Sequence, residues 1–140
     1  MANKIVIFML ASLFLFGSAS SSYSYMSGRD IFSGNIPQPI LIEPIADEVD
    51  LSGASQLIFK WSPHEGDISQ RRYYDFRLYQ GYQMIEANLI LQNNVSPNQH
   101  QFAVNADIFK LNQIYTWSLR QTYRAGKSQR STSSFTIINK

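Results

Sequence analysis

From Pro39 onward the chain alternates apolar and polar positions in short runs broken by turn residues. In 57–61, Leu57, Phe59 and Trp61 share one parity while Ile58 and Lys60 take the other. In 73–80, Tyr74, Phe76 and Leu78 stand against Tyr73, Asp75, Arg77 and Tyr79. In 115–123, Tyr115, Trp117 and Leu119 stand against Thr116, Ser118, Arg120 and Thr122. Successive side chains of a strand point to opposite faces, so each run predicts a strand with one buried and one solvated face. Four more segments complete the set. Residues 40–45 are apolar, but Pro44 confines them to a sheet edge. Residues 84–91 have mixed spacing and predict a strand or a helical turn. Residues 101–104 and 133–138 predict short strands, and Asn93–Asn94 with Ser96–Pro97–Asn98 reads as a turn. Seven short strands at this spacing predict an all-β sandwich or barrel, and no repeat of 20–50 residues divides the chain.

The alternation places Leu57, Phe59, Trp61, Tyr74, Phe76, Leu78, Tyr115, Trp117 and Leu119 in the core. A buried tryptophan removes about 150–250 Å² from water at roughly 25 cal/mol per Å², or several kcal/mol. A domain with a net stability of about 5–15 kcal/mol has good reason to bury both indoles.

Upstream of this pattern the composition changes. Lys4 precedes twelve apolar or small residues (5–16, IVIFMLASLFLF), and Gly17-Ser18-Ala19 supplies small side chains for a cut after Ala19. That layout predicts a secretory signal helix over 1–19. The run is shorter than the roughly 20 residues that span a bilayer, so contact with a membrane is expected only if the segment stays uncleaved as an anchor. Residues 20–38 (SSSYSYMSGRDIFSGNIPQ) have no sustained period and predict a flexible leader, although Tyr23, Tyr25, Met26, Ile31 and Phe32 would suit packing along an edge strand. The folded domain is then 39–140. The chain has no cysteine, so it has no disulfides. That leans towards a bacterial exported protein in the periplasm, at the cell surface or secreted.

Overall net charge is only +2, but its distribution is uneven. Residues 20–70 carry two basic and seven acidic side chains, a balance of −5; residues 71–140 carry nine basic and three acidic ones, a balance of +6. Such asymmetry suits polar partners or charge-driven, end-to-end self-association.

Several motifs together resemble a fibronectin type III domain over 39–140. "LIFKWSP" is similar to that family's second strand, "YYDFRLYQG" to its third, and "RAGKSQRSTSSFTI" to the turn into its last. In "FKLNQIYTWSLRQTY" an apolar residue, Phe109, stands six positions before Tyr115, as at the family's tyrosine corner. Leu111 occupies a position where the family often has proline. The resemblance implies a seven-stranded immunoglobulin-like sandwich, sheets A-B-E against C-C′-F-G, with Phe109 in the core and the Tyr115 hydroxyl bonded to backbone. It also implies that Arg77, Tyr79, Arg120 and Arg124 share one solvent face. Arg71, Arg72, Lys127 and Arg130 would join them.

Little in the sequence suggests catalysis. Without cysteine there is no thiolate nucleophile, cysteine-ligated zinc or iron–sulfur cluster. No serine sits in a nucleophile elbow and no glycine loop suits a phosphate. His64, Glu65 and Asp67 form the one tight group of possible metal ligands, better read as an exposed turn. Asp47, Glu48 and Asp50 offer hard oxygens, but their spacing fits no calcium loop. Asn94-Val95-Ser96 matches a glycosylation acceptor, followed by proline. The expectation is a non-enzymatic interaction module with no cofactor and no metal. Its partner would be another protein or an acidic glycan rather than a nucleic acid, gripped by Arg77, Tyr79, Arg120, Arg124, Lys127 and Arg130, since arginine suits carboxylate and sulfate groups. The alternatives are a structural spacer in an envelope assembly and an enzyme using His64, Glu65 and Asp67.

Overall fold

The computed structural model describes residues 36–62, 71–124 and 126–140. The expected signal helix, the leader up to residue 35 and the His64–Glu65–Asp67 group lie outside the described residues. Within them, no helix is long and apolar enough to cross a membrane.

The described residues form β1 (Ile40–Glu43), β2 (Glu48–Asp50), β3 (Gln56–Ser62), β4 (Arg71–Gln80), β5 (Leu89–Val95), β6 (Gln101–Asn105), β7 (Ile114–Tyr123), β8 (Gly126–Lys127) and β9 (Ser131–Asn139). One sheet has the order β1-β3-β6; the other runs β2-β9-β7-β4-β5, with β8 hairpinned onto β7. This is the expected sandwich, with nine strands among the described residues where seven were expected: the two-residue β8 is added beside β7, and two larger departures concern the start of the domain and β5.

The first departure is at the start. The edge strand expected over 40–45 stops at Glu43, and a further strand that was not expected follows at Glu48. Pro44 cannot donate to the ladder with β3, so pairing ends at Glu43 and the chain crosses to the opposite sheet. There β2 runs parallel to β9, pairing Glu48 with Thr136 and Val49 with Ile137. The acidic stretch is therefore partly a strand. Val49 packs on the core, and Asp50 accepts hydrogen bonds from the Ser52 amide (2.8 Å) and Asn139 (3.2 Å).

The second departure is at β5. A single 3-10 turn at Glu86–Asn88 precedes a strand that continues through Asn93 and Asn94, residues expected to turn. Asparagine disfavours strands, but cross-strand pairing overrides the preference: Asn93 lies opposite Phe76 and Asn94 opposite Asp75. The turn falls at 96–99, closed by the Gln99 amide on the Ser96 carbonyl at 3.0 Å.

The core fills the gap between the sheets. All ten positions singled out above, Phe109 included, are buried. Phe59 of β3 meets Phe76 and Trp117 of the facing sheet edge-on, each at 5.0 Å, and Trp61 meets Tyr74 at 5.3 Å. Trp117 donates its indole N–H to the Pro44 carbonyl at 2.9 Å, which ties the crossover to the centre of the core. At the other end of β7 the Tyr115 hydroxyl accepts the Lys110 amide at 2.7 Å, and its ring stands edge-on to Phe109 at 5.0 Å. That is the tyrosine corner.

Candidate interaction surface

Of the residues proposed from sequence as a basic face, Arg77 and Tyr79 lie on the outward side of β4 and Arg120 on that of β7, while Arg130 immediately precedes β9. Strand pairing brings them together: Asp75 lies opposite Arg120, Arg77 opposite Ser118, and Tyr79 opposite Thr116. At the centre is Asp75, which the sequence analysis placed on this face without a role.

Asp75 holds three guanidinium groups. Arg77 Nε approaches Oδ1 at 3.2 Å and Arg120 Nε approaches Oδ2 at 3.2 Å, while Arg130 bonds Oδ2 through one terminal nitrogen. With its other terminal nitrogen Arg130 reaches the Asp75 carbonyl (3.3 Å) and the Ser118 hydroxyl (2.9 Å). Gln92 on β5 adds a longer bond to Oδ1 at 3.4 Å. The Asp75 side chain is only 5% exposed, and those of Arg120, Arg130 and Arg77 are 13%, 18% and 26% exposed. Burial pushes Arg130 below its ordinary pKa, opposed by the Asp75 charge. Burial also acts to lower Arg77, but its hydrogen bond with Tyr79 and the pull of Asp75 together hold it above the ordinary value.

The expected solvent face is therefore largely a half-buried ion network. Three positive groups around one carboxylate leave a local surplus of two charges on the sheet. Tyr79, expected to offer an open ring, is 4% exposed and has no face free for stacking. Thr116 beside it is tied to the Gly81 carbonyl and the Ser134 hydroxyl, both at 2.7 Å. The more open cations lie at the end of the sheet. Arg124 is exposed in the turn after β7, and Lys127 is half-buried on β8 opposite Thr122. Arg72 is exposed at an irregularity in the β4–β7 pairing, and Arg71 is half-buried beside it.

Asp75, Gln92 and Ser118 belong to this group although their spacing in the sequence does not mark them as binding residues. The signal for Asp75 was an acid two residues from Arg77 on one strand face. Its other partners come from β7, from β5 and from the residue just before β9, which local spacing does not reveal. Asn94 of the glycosylation motif is exposed on β5, and His100 is exposed with its ring edge-on to Tyr74 at 6.3 Å. Among the described residues, no group of three or more His, Cys, Asp or Glu could hold a metal ion.

No family model matches the chain, and no curated protein does. Solved structures do. The structure of the chicken CNTN1 FN1–FN3 domains aligns with 73% of this chain at a TM-score of 0.52 and 16% identity. The fold is that of a fibronectin type III domain. The chain spans 33% of that multi-domain structure. It also aligns with the FN3tt structure at 17% identity and a TM-score of 0.47, covering 74% of this chain and 98% of that one. At such identities the likeness is one of fold alone. A fold carries no activity by itself, so any function has to be argued from the surface.

Proposed function

We propose that this fibronectin type III domain is a non-catalytic, exported interaction module of a bacterial envelope or its surroundings, which docks an acidic protein or glycan on the β4–β7–β9 face. The observation that carries the reading is the surplus of positive charge fixed by Asp75 and continued outward by Lys127 and Arg124. Guanidinium groups held in place by a buried carboxylate lose little side-chain freedom on binding, and arginine presents paired donors to carboxylate and sulfate. Arg124 and Lys127 make first contact, and Arg77, Arg120 and Arg130 supply the field beneath them.

The test uses polyglutamate and a sulfated glycan as probes for the full chain. Binding to at least one probe that weakens with added salt is expected, as is its loss in R124E/K127E with the fold retained by near-ultraviolet circular dichroism. Equal binding by wild type and R124E/K127E would overturn the reading. The spacer alternative draws on exposed Glu48 and Asp50, which place acidic groups on β2, an edge of the same sheet. It predicts self-association that dissolves as salt screens the charges, and light scattering at low and high salt separates the two readings.

A further inference from the structure

Sheet edges expose unpaired backbone donors and acceptors, and strands at such edges are usually short or guarded by charge, proline or a bulge. Three of the four edges here follow that rule. β1 has four residues and lies between Pro39 and Pro44, β6 has five, and β2 has three, two of them acidic. β5 differs. It is seven residues long (LILQNNV), carries no charge and no proline, and pairs only with β4 among the described residues. Its one irregularity lies at its first residues, opposite Leu78 and Tyr79. The segment leading into and along it also exposes Tyr82 (68%), Met84 (45%), Ile85 (51%) and Ile90 (40%), four of the eleven large hydrophobics exposed among the described residues.

We propose that β5 pairs antiparallel with β5 of a second copy about a two-fold axis, joining two domains through one continuous sheet. Charge decides for a second copy. A strand meets itself in such a pair, so any charged residue near the axis faces its own kind at a cost. β5 has none to repel, whereas β2, at the opposite edge of the same sheet, would bring Glu48 and Asp50 against themselves. Opposed residues of an antiparallel pair share a face. Overlap of all seven residues is therefore centred on Gln92, with Ile90 opposite Asn94 of the second copy. Symmetric pairing of one patch with itself closes the assembly at two. The axis is normal to the sheet, so both arginine clusters lie on the same side, and the dimer displays the proposed docking surface twice. The pairing itself rests on β5 alone.

Sedimentation velocity of the full chain tests this across a concentration series. The wild type is expected to dimerise, equally at low and high salt because no charges meet. I90K/N94K sets like charges opposite each other at both ends of the pair and is expected to be monomeric, with an unchanged near-ultraviolet circular dichroism spectrum. I90K/N94E sets opposite charges across the axis and is expected to restore the dimer. A wild-type monomer throughout, a dimer that survives I90K/N94K, or failure of I90K/N94E to recover pairing while folded would each overturn the proposal. A wild-type monomer that instead takes up an added extended peptide would assign the edge to a foreign strand and overturn it as well.

Discussion

Replacing Asp75 with alanine removes the one anion among three guanidinium groups. The side chain is 5% exposed, and the arginines around it retain between 13% and 26% of their surface in water. They are shielded enough for lost pairing to matter and open enough for some hydration to remain. Breaking a buried ion pair by deleting one partner typically costs about 3–5 kcal/mol, because the surviving charge stays behind. Here three survive and repel one another, while residual hydration of Arg77 pulls the other way, so the lower half of that range is the working value. For a domain of this size each kcal/mol moves the melting temperature by roughly 4 °C or more, so D75A should melt on the order of 12 °C below wild type. Urea denaturation followed by tryptophan fluorescence measures the same loss, since Trp61 and Trp117 are both in the core. Lys60–Glu43 is the control. That pair, at 3.2 Å, is 42% and 59% exposed, and K60A should change stability by less than about 1 kcal/mol. The double variant D75A/R130A should lose less than the sum of its single losses, as expected for groups in one network. If D75A melts within about 2 °C of wild type, a surface-like cost, the carboxylate does not organise the arginines and the reasoning fails.

Three further outcomes follow from the core. Y115F removes the acceptor for the Lys110 amide but keeps the ring, so a loss of about 0.5–1.5 kcal/mol in urea titration is expected; no loss would mean the corner is held by packing alone. Both polar atoms of the Gln121 side chain are buried without a hydrogen-bond partner, an arrangement that costs about 1–3 kcal/mol. Q121M should therefore raise the melting temperature, and a drop would show that the amide is satisfied in solution. Burial raises the Tyr74 phenol above its ordinary value of 10.0, so its contribution is complete below pH 10.0 and is lost as pH rises from there through the folded value. The Y74F variant should lose stability less steeply with rising pH in that window, and a slope equal to wild type would refute the assignment.

The strands that were legible are those whose alternation is strict. Residues 57–61, 73–80 and 115–123 carry large rings on one parity only, so a one-residue slip would put Trp61 or Trp117 in water. Phe109 and Tyr115 were legible through their spacing within the resemblance. What stayed hidden depends on distant chain. β2 is three residues with acids at both ends, and only β9 makes it a strand. Asn93 and Asn94 look like a turn until β4 lies beside them. The outward face of β4 was the hardest to read. Asp75, Arg77 and Tyr79 are polar or amphipathic, which predicts exposure, yet Asp75 and Tyr79 are each 4% exposed. Three arginine side chains over a sheet cover what a single row of polar residues would leave open, since their aliphatic stems bury surface even as their charged ends reach water.

That distinction decides how binding can be examined at all. Reversing Arg120 is a poor probe of this basic surface, because Arg120 is 13% exposed and bonded to Asp75. R120E would set two carboxylates against each other beneath Arg77 and Arg130, and any loss of binding would be inseparable from loss of structure. Arg124 lies beyond the last paired residue of β7 and Lys127 on the short return strand, so reversing them changes the potential over the sheet while leaving the Asp75 network intact. The network and the rim thus divide one charge pattern between two roles. The inner arginines are held by a carboxylate and give the face its sign, and on the proposed reading the outer cations are the groups that meet a partner. A domain built this way can alter what it binds by changing its rim without disturbing the part of the surface on which its stability depends.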